Sequence, residues 1–595
     1  MDSPDRVTKQ EELVPDSVIP HQTLPPLRYR DLPEAPRWTS LVGPSVILAG
    51  LALGSGEFVF WPYITYRTGF IFFWACMLGV FTQFYINMEI ERWTLATGES
   101  AITGFSRLSR HWAWVFLILN IVPWVWPGWA TGAGTLMNWV LLGAEEKPIE
   151  IRQELPANTL PSAIPASISD DLSIERSPEK AEIVWKGPLS DQQLDELNSL
   201  NDSEQFQQAI SELRFKVRTK GGIDYAAPYS AIFAILSLWI IGIALTMGPV
   251  VYNTVERLQT ILVLMIFVIA IVVGAFVIRP DAVVAMSKGM VSFGSMPDEL
   301  SGLSLMALLG AVAFAGAGGT MNLGQSNFIR DKGYGMGKYV GRITSPLTGQ
   351  EEAVLDVGFH FKHTPENQRR WKEWWKAANL EHLFSFLMTC VVCLVLLSLI
   401  SYSLFYDNSG NLKPGMERFG TDMNFIWGEA DQLRTMWVNP WLGGFIRIGF
   451  LVMGFCLLLT TELGVLDASA RISTDIIKVN FLRDNRRWTQ SRLYFTLLWG
   501  TIGVSTLILG YGMVEPSLKQ PMFLLKMSAA MNGGVMFIYS VLLLYLNTKI
   551  LSRSLAVSPS RFLAMIWASA FYGYFTLLAL QSDVIPWLGS LMTGK

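Results

Sequence analysis

Long apolar runs recur along this chain, parted by shorter polar stretches. A helix needs roughly 20 apolar residues to cross the hydrocarbon of a bilayer. On that basis the pattern predicts eleven spans, at residues 41–66, 70–90, 112–142, 227–247, 256–278, 301–324, 381–405, 440–466, 491–511, 521–546 and 561–580. The run at 112–142 is long enough to tilt or to end outside the bilayer. Only the first and sixth spans carry dense glycine clusters midway, at 50-GLALGSGEF-58 and 310-GAVAFAGAGGTMN-322.

The remaining stretches set the organisation. Residues 1–38 are polar and proline-rich and read as a flexible tail, followed by spans 1–3 over 39–143. Residues 144–225 form an acidic insertion, in which 190-SDQQLDELNSL-200 and 202-DSEQFQQAISELRF-215 predict two short helices capped by Ser190 and by Asp202 or Ser203. Spans 4–6 follow over 226–330, and a second insertion covers 331–380. Its first part, 339-YVGRITSPLTGQEEAVLDVGFHFK-362, predicts a β-hairpin. Then Thr364 and Pro365 open a helix whose Trp371, Trp374 and Trp375 lie among Arg369, Arg370 and Lys372. That mixture fits an amphipathic helix on the membrane surface, or equally a helix packed on the hairpin. Spans 7–11 complete the chain over 381–595.

Lys and Arg concentrate in the loops on one side, among them Arg28, Arg30, Arg107, Arg110, Arg370, Arg483 and Arg553. The positive-inside bias puts the N-terminus in the cytoplasm of a multi-pass cell-membrane protein, and an odd span count puts the C-terminus outside. Composition agrees: 51% of residues are hydrophobic, 16% are charged, and mean hydropathy is +0.33. A net charge of −3 argues against a nucleic-acid partner. All four cysteines, Cys76, Cys390, Cys393 and Cys456, lie in apolar runs, so packing is the plainest reading of the CxxC at 390–393. No metal motif, nucleophile constellation or phosphate loop occurs outside the spans, which argues against an enzyme and leaves no cofactor expected.

Glycine clusters at corresponding places in two halves point to an inverted-repeat transporter. Unwinding at glycine frees N–H and C=O groups, and at membrane depth that is tolerable only beside a cavity or a ligand. Candidate substrate-binding residues are therefore Gly54, Ser55, Gly56 and Glu57 in the first span, and Ala317, Gly318, Gly319, Thr320, Asn322 and Gln325 in the sixth. Asn532 in the tenth joins them. Glu57 is the only ionisable residue between Leu41 and Ile64, where a charge costs roughly 2.5–3.5 kcal/mol on insertion scales. Lys526 and Glu462 are candidate charge or coupling partners; Asp467 reads as a charge near a span end.

Five stretches, 43-GPSVILAGLALGSGEF-58, 92-RWTLATGESAITGFSRLSR-110, 249-PVVYNTVERLQTILVLMIFVIAIV-272, 460-TTELGVLDASARISTDII-477 and 524-LLKMSAAMNGGVMFIYSVLLLYLNTKILSRSL-555, resemble the Nramp family of divalent-metal transporters. The resemblance implies an all-α membrane protein with a LeuT-like fold: two inverted five-helix repeats plus an eleventh helix, with helices 1 and 6 discontinuous. It also marks departures. Where the family's first-helix motif reads Asp-Pro-Gly-Asn, this chain has Gly54, Ser55, Gly56 and Glu57; where the sixth-helix motif reads Met-Pro-His, it has Ala317 to Thr320. The family's tenth-helix glutamine is matched by Asn532, and the third span lacks the family's acids.

Two mechanisms follow. One is transport of a hard divalent cation, with Glu57, Asn322 and Asn532 as ligands beside bare carbonyls and with a coupling ion. The other is transport of a small organic solute such as an amino acid, because GSGEF also resembles the first-helix signature of amino-acid transporters. A non-transporting receptor or scaffold is the third reading.

Overall fold

The computed structural model describes residues 12–36, 43–156, 172–176, 180–187, 191–201, 203–220, 222–298, 303, 305–349, 355–514, 521–581 and 585. Among these, eight helices are long and apolar enough to cross a membrane: Pro44–Thr68, Ser230–Met247, Val251–Val277, Pro365–Phe405, Pro440–Asn480, Gln490–Gly512, Met531–Ile550 and Pro559–Ala579. The other three expected spans are present in altered form. The second is Phe73–Thr97, a continuous helix whose Gln83, Asn87, Glu89, Glu91 and Arg92 are all buried. The third and sixth are each split, into His111–Ile121 with Gly128–Leu142 and Leu305–Ala313 with Gly319–Lys332. The second is polar inside the protein, whereas the third and sixth fall short because each is broken into shorter helices.

Burial sorts the spans by neighbour. In the most apolar part of Pro44–Thr68, 94% of residues are buried, against 28% for Val251–Val277. The first span is sheathed by protein, and the fifth turns Ile261, Leu264 and Val268 outward, as lipid contact requires.

The 144–225 insertion holds more than two helices. Glu150–Pro156, Lys180–Lys186 and Leu172–Arg176 form an antiparallel sheet with Lys180–Lys186 in the middle. Ile151, Ile183 and Trp185 pack on its inner face against Leu194, Phe206 and Leu213 of Asp191–Asn198 and Glu204–Lys220. Alternation in EIRQELP and KAEIVWK carried the strand signal. Of the expected caps, Ser190 and Asp202 lie outside the described residues.

Two expectations give way on the face that carries the N-terminal segment. Residues 12–36 do not behave as a loose tail. Val14, Ile19, Leu27 and Leu32 are buried, and Arg28–Tyr29 pairs in parallel with Phe359–His360. Arg107 donates to the carbonyls of Pro20 and Pro25, each at 3.2 Å. The hairpin over 339–362 is accordingly absent among the described residues: its second strand takes the N-terminal segment as partner, and Thr344 bridges to Val250 instead.

The following helix does not lie on the membrane. Thr364 caps it as predicted, accepting from the Asn367 N–H. It then runs on through a π-helical turn, Leu383–Met388, into the seventh span as one rod of 41 residues. Trp371 and Trp374 are buried, and the Trp374 ring N–H donates to Pro33 O at 2.8 Å. Trp374 holds the N-terminal segment, Trp371 packs on Phe361, and Trp375 lies beneath Arg92 and Arg561.

Candidate functional site

The sixth span loses its hydrogen-bond ladder between Ala313 and Gly319. Gly316, Gly318 and Gly319 have φ of 156°, 73° and 51°, which a side chain would resist. The groups set free are met by amides from other spans. Gln83 Nε2 donates to Ala313 O at 2.7 Å, at the end of the first half-helix. Gln83 Oε1 accepts from the Gly318 N–H at 3.3 Å and from Asn322 Nδ2 at 3.2 Å. Asn532 Oδ1 accepts from the Thr320 N–H at 3.4 Å, at the start of the second half-helix. Asn322 Nδ2 also donates to Tyr539 OH at 3.0 Å, while Asn322 Oδ1 is buried with no donor.

The third span breaks beside the sixth. In 121-IVPWVWPGWA-130, Pro123 and Pro127 stop one helix and let another start. The Trp124 ring N–H, inside the break, donates to Thr320 Oγ1 at 2.7 Å, and the Thr320 hydroxyl donates to Asn120 Oδ1 at 2.9 Å. Asn120 Nδ2 donates in turn to Ser469 O and Ser473 Oγ of the eighth span, each at 3.0 Å. Phe314 is ringed by Phe60, Trp124 and Trp129, with centroids 5.8–6.0 Å away, which closes the break with aromatic surface. The buried Glu462 faces the Ala130 N–H in the first turn of Gly128–Leu142.

The first span is not unwound. Its cluster forms a continuous π-helical stretch, Leu53–Phe60, closed by the Trp61 N–H on Gly56 O. The wider helix still leaves the Gly54 N–H for a side chain, and it donates to Thr461 Oγ1 at 3.0 Å. A Cβ on Gly56 would sit 1.4 Å from Phe314 O, so the two glycine clusters do meet, backbone against backbone. Glu57 is fully buried. Its oxygens make no hydrogen bond of good geometry, and the Cys390 thiol of the seventh span is the polar group facing them.

The expected ligand trio thus does not converge here. Glu57 faces Cys390, Asn322 pairs with Gln83 and Tyr539, and Asn532 holds the sixth-span half-helix. Gln325 lies one turn further along that half-helix, contacting Glu91 and His382. Ala317 is buried inside the break. The side chains of Ser55 and Lys526 lie outside the described residues. Among the described residues, no group of three His, Cys, Asp or Glu is placed to hold a metal ion. Asp467 is no mere end charge: it is buried, with Arg471 Nε at 2.8 Å and Tyr494 OH at 2.6 Å.

Gln83 and the pair Asn120–Trp124 escaped the reading from sequence. An amide at 83, with Asn87 one turn on, in the largely apolar 75–88 run was the available sign of Gln83. Pro123 and Pro127 were the sign of the third-span break.

No protein-family model matches the chain, and no curated protein does. Solved structures do. A mutant form of the manganese transporter of Eremococcus coleocola superposes with a TM-score of 0.57 at 12% identity, over 97% of this chain and 92% of its own. Two further mutant forms of it give 0.56 over the same shares. The chain shares the fold of that protein. The all-α, multi-pass fold class expected above is borne out, and of the two helices expected to be discontinuous the sixth is and the first is not.

Proposed function

We propose that this chain is a secondary transporter, a divergent Nramp relative, that moves a divalent cation across the membrane by alternating access. The observation that carries the reading is the set of oxygens at the broken sixth span. Asn322 Oδ1 is buried and open, Gln83 ties Asn322 to the break at Ala313 and Gly318, and Asn532 Oδ1 stands at the start of the second half-helix. Neutral oxygens suit a hard ion that keeps part of its water, such as Mg²⁺, better than a soft one. Glu57 supplies the negative charge next to the break, one residue from the Gly56–Phe314 contact. The fold shared with a manganese transporter supports the substrate class. The basic loops keep the N-terminal face cytoplasmic.

The test is a thermal-shift screen of the purified protein, with uptake into liposomes. Mg²⁺ or Mn²⁺ stabilises the protein, and Glu57→Gln abolishes uptake while the protein still folds. A second reading, transport of a small organic solute, is favoured by the want of three ionisable ligands at any one place among the described residues. Stabilisation by an amino acid, with none by either cation, establishes that second reading in place of the first.

A further inference from the structure

Below the broken helices lies a second polar cluster, which the transport site does not use. Gln325 is one turn along the half-helix from Asn322, and Glu91 is two turns along the second span from Gln83. Gln325 Nε2 stands 3.4 Å from Glu91 Oε2 and 3.3 Å from His382 Nδ1. His382 Nδ1 is 2.9 Å from Ser45 Oγ, and the Ser45 hydroxyl donates to Glu381 Oε2. Glu381 Oε1 accepts the N–H groups of Ser45 at 3.1 Å and Gly43 at 3.3 Å, at the N-terminus of the first span. The cluster thereby runs from the broken span to the face where residues 12–36 dock.

Three features point to an occupant. Glu91, Glu381, His382 and Gln325 are all buried, and neither carboxylate has an ion pair among the described residues. His382 Nε2 and Gln325 Oε1 have no hydrogen-bond partner. The His382 ring is held flat between Phe84 and Phe386, with centroids at 5.5 and 4.7 Å, so its two nitrogens keep fixed directions. Charge around the cluster comes from Arg561 on the eleventh span, from Lys332 and Tyr334 after the sixth, and from Tyr252 and Glu256 on the fifth. Lys332 is spent largely on Glu256, at 2.7 Å. Two sealed carboxylates sharing so little positive charge cannot both be ionised. Glu381 accepts from three donors, whereas Glu91 receives one long contact from a neutral amide.

We propose that His382, Ser45 and Glu381 form a proton-binding relay between the broken sixth span and the N-terminal face, with Glu91 a separate proton-holding carboxyl behind Gln325. The proton arrives at His382 Nε2. The Nδ1–H then passes to Ser45 Oγ while Ser45 passes its own hydroxyl hydrogen to Glu381 Oε2. One N–H and one O–H bond break, two O–H bonds form, and an imidazolium–carboxylate pair becomes a neutral pair with no change of oxidation state. The relay deepens the transporter reading by naming the coupling ion, and rests on that reading only for its physiological use.

The test needs no substrate. Infrared difference spectra of the full chain in liposomes, between acidic and alkaline buffer, show a titrating carboxyl C=O band and a titrating imidazole band. Glu91→Gln and Glu381→Gln each remove part of the first, and His382→Gln removes the second. Ser45→Ala, which guards against misfolding of the others, leaves both bands but uncouples them, so that they titrate at separate midpoints. Carboxyl bands unchanged in Glu91→Gln and Glu381→Gln, or bands still coupled in Ser45→Ala, overturn the relay. Cation uptake is measured on the same liposomes. Uptake without these bands refutes the relay and spares the transporter; bands without uptake of any cation do the reverse.

Discussion

The hydroxyl of Thr320 donates to Asn120 Oδ1 at 2.9 Å, and so ties the second half of the broken sixth span to the helix that ends at the break in the third. The same oxygen receives the Trp124 N–H. Thr320→Val keeps the shape but leaves a buried acceptor and a buried donor unmet, at about 1–3 kcal/mol each. Melting should fall accordingly and uptake should drop, whereas Thr320→Ser should hold both near the parent level.

Gly56 touches the Phe314 carbonyl with no room for a methyl group. The obstacle is backbone, which cannot swing aside as a side-chain tip can. Gly56→Ala should therefore yield little folded protein, measured as the monodisperse fraction after extraction in detergent. Gly500→Ala, on the ninth span where a Cβ meets nothing within 4 Å, is the matched control and should extract normally.

Gln83 holds both ends of the broken helix at once. Gln83→Leu is close in volume and removes every one of those bonds. We expect a loss of about 1–3 kcal/mol for each backbone group left bare, read as a lower melting temperature. If the amide also lines the transport site, the affinity for cation should fall more than the melting temperature alone explains.

The seat of the N-terminal segment should be acid-sensitive through His360. Its ring is buried beside Ala96 O, with Nδ1 at 3.0 Å, and burial lowers its pKa from 6.5 to about 4. Above pH 6.5 the ring is neutral whether the strand is docked or free, and the full stability is present. As pH falls below 6.5 the undocked ring takes a proton that the docked ring refuses. Docking weakens until about pH 4, by about 3 kcal/mol in all. Protection factors over residues 12–36, which divide out the slower intrinsic exchange at acid pH, should fall between pH 7 and pH 5 in the parent protein, and much less in His360→Gln.

Periodicity and length were enough to find the lipid-facing helices, because lipid imposes an unbroken apolar run. Val251–Val277 and Gln490–Gly512 lie close to where that run predicts them. The glycine clusters marked the sixth-span break for the same reason. Enclosed helices are less legible: the second span was expected to end at 90, yet it carries Glu91 and Arg92 inside the protein to Thr97. In the first span, glycine allowed a π stretch and a close backbone approach where unwinding was expected. Which amide would reach the broken helix depends on packing between distant segments, and Gln83 and Asn532 are far apart in the chain. The N-terminal segment misled for a related cause: its apolar residues are too sparse to form a helix but numerous enough to fill a groove.

At 1.5 Å per residue, the rod from Pro365 to Phe405 is about 60 Å long. It passes Glu57 at one level, the first span's N-terminus at another, and holds the N-terminal strand through Trp374 at its far end. Such a rod works as a lever whose fulcrum is the π turn Leu383–Met388. A tilt of about ten degrees about that turn becomes a sweep of about 3 Å at Trp374, roughly 17 Å along the rod. Motion of the seventh helix is thereby broadcast to the aqueous side, where a probe on an exposed residue such as Lys372 would register it.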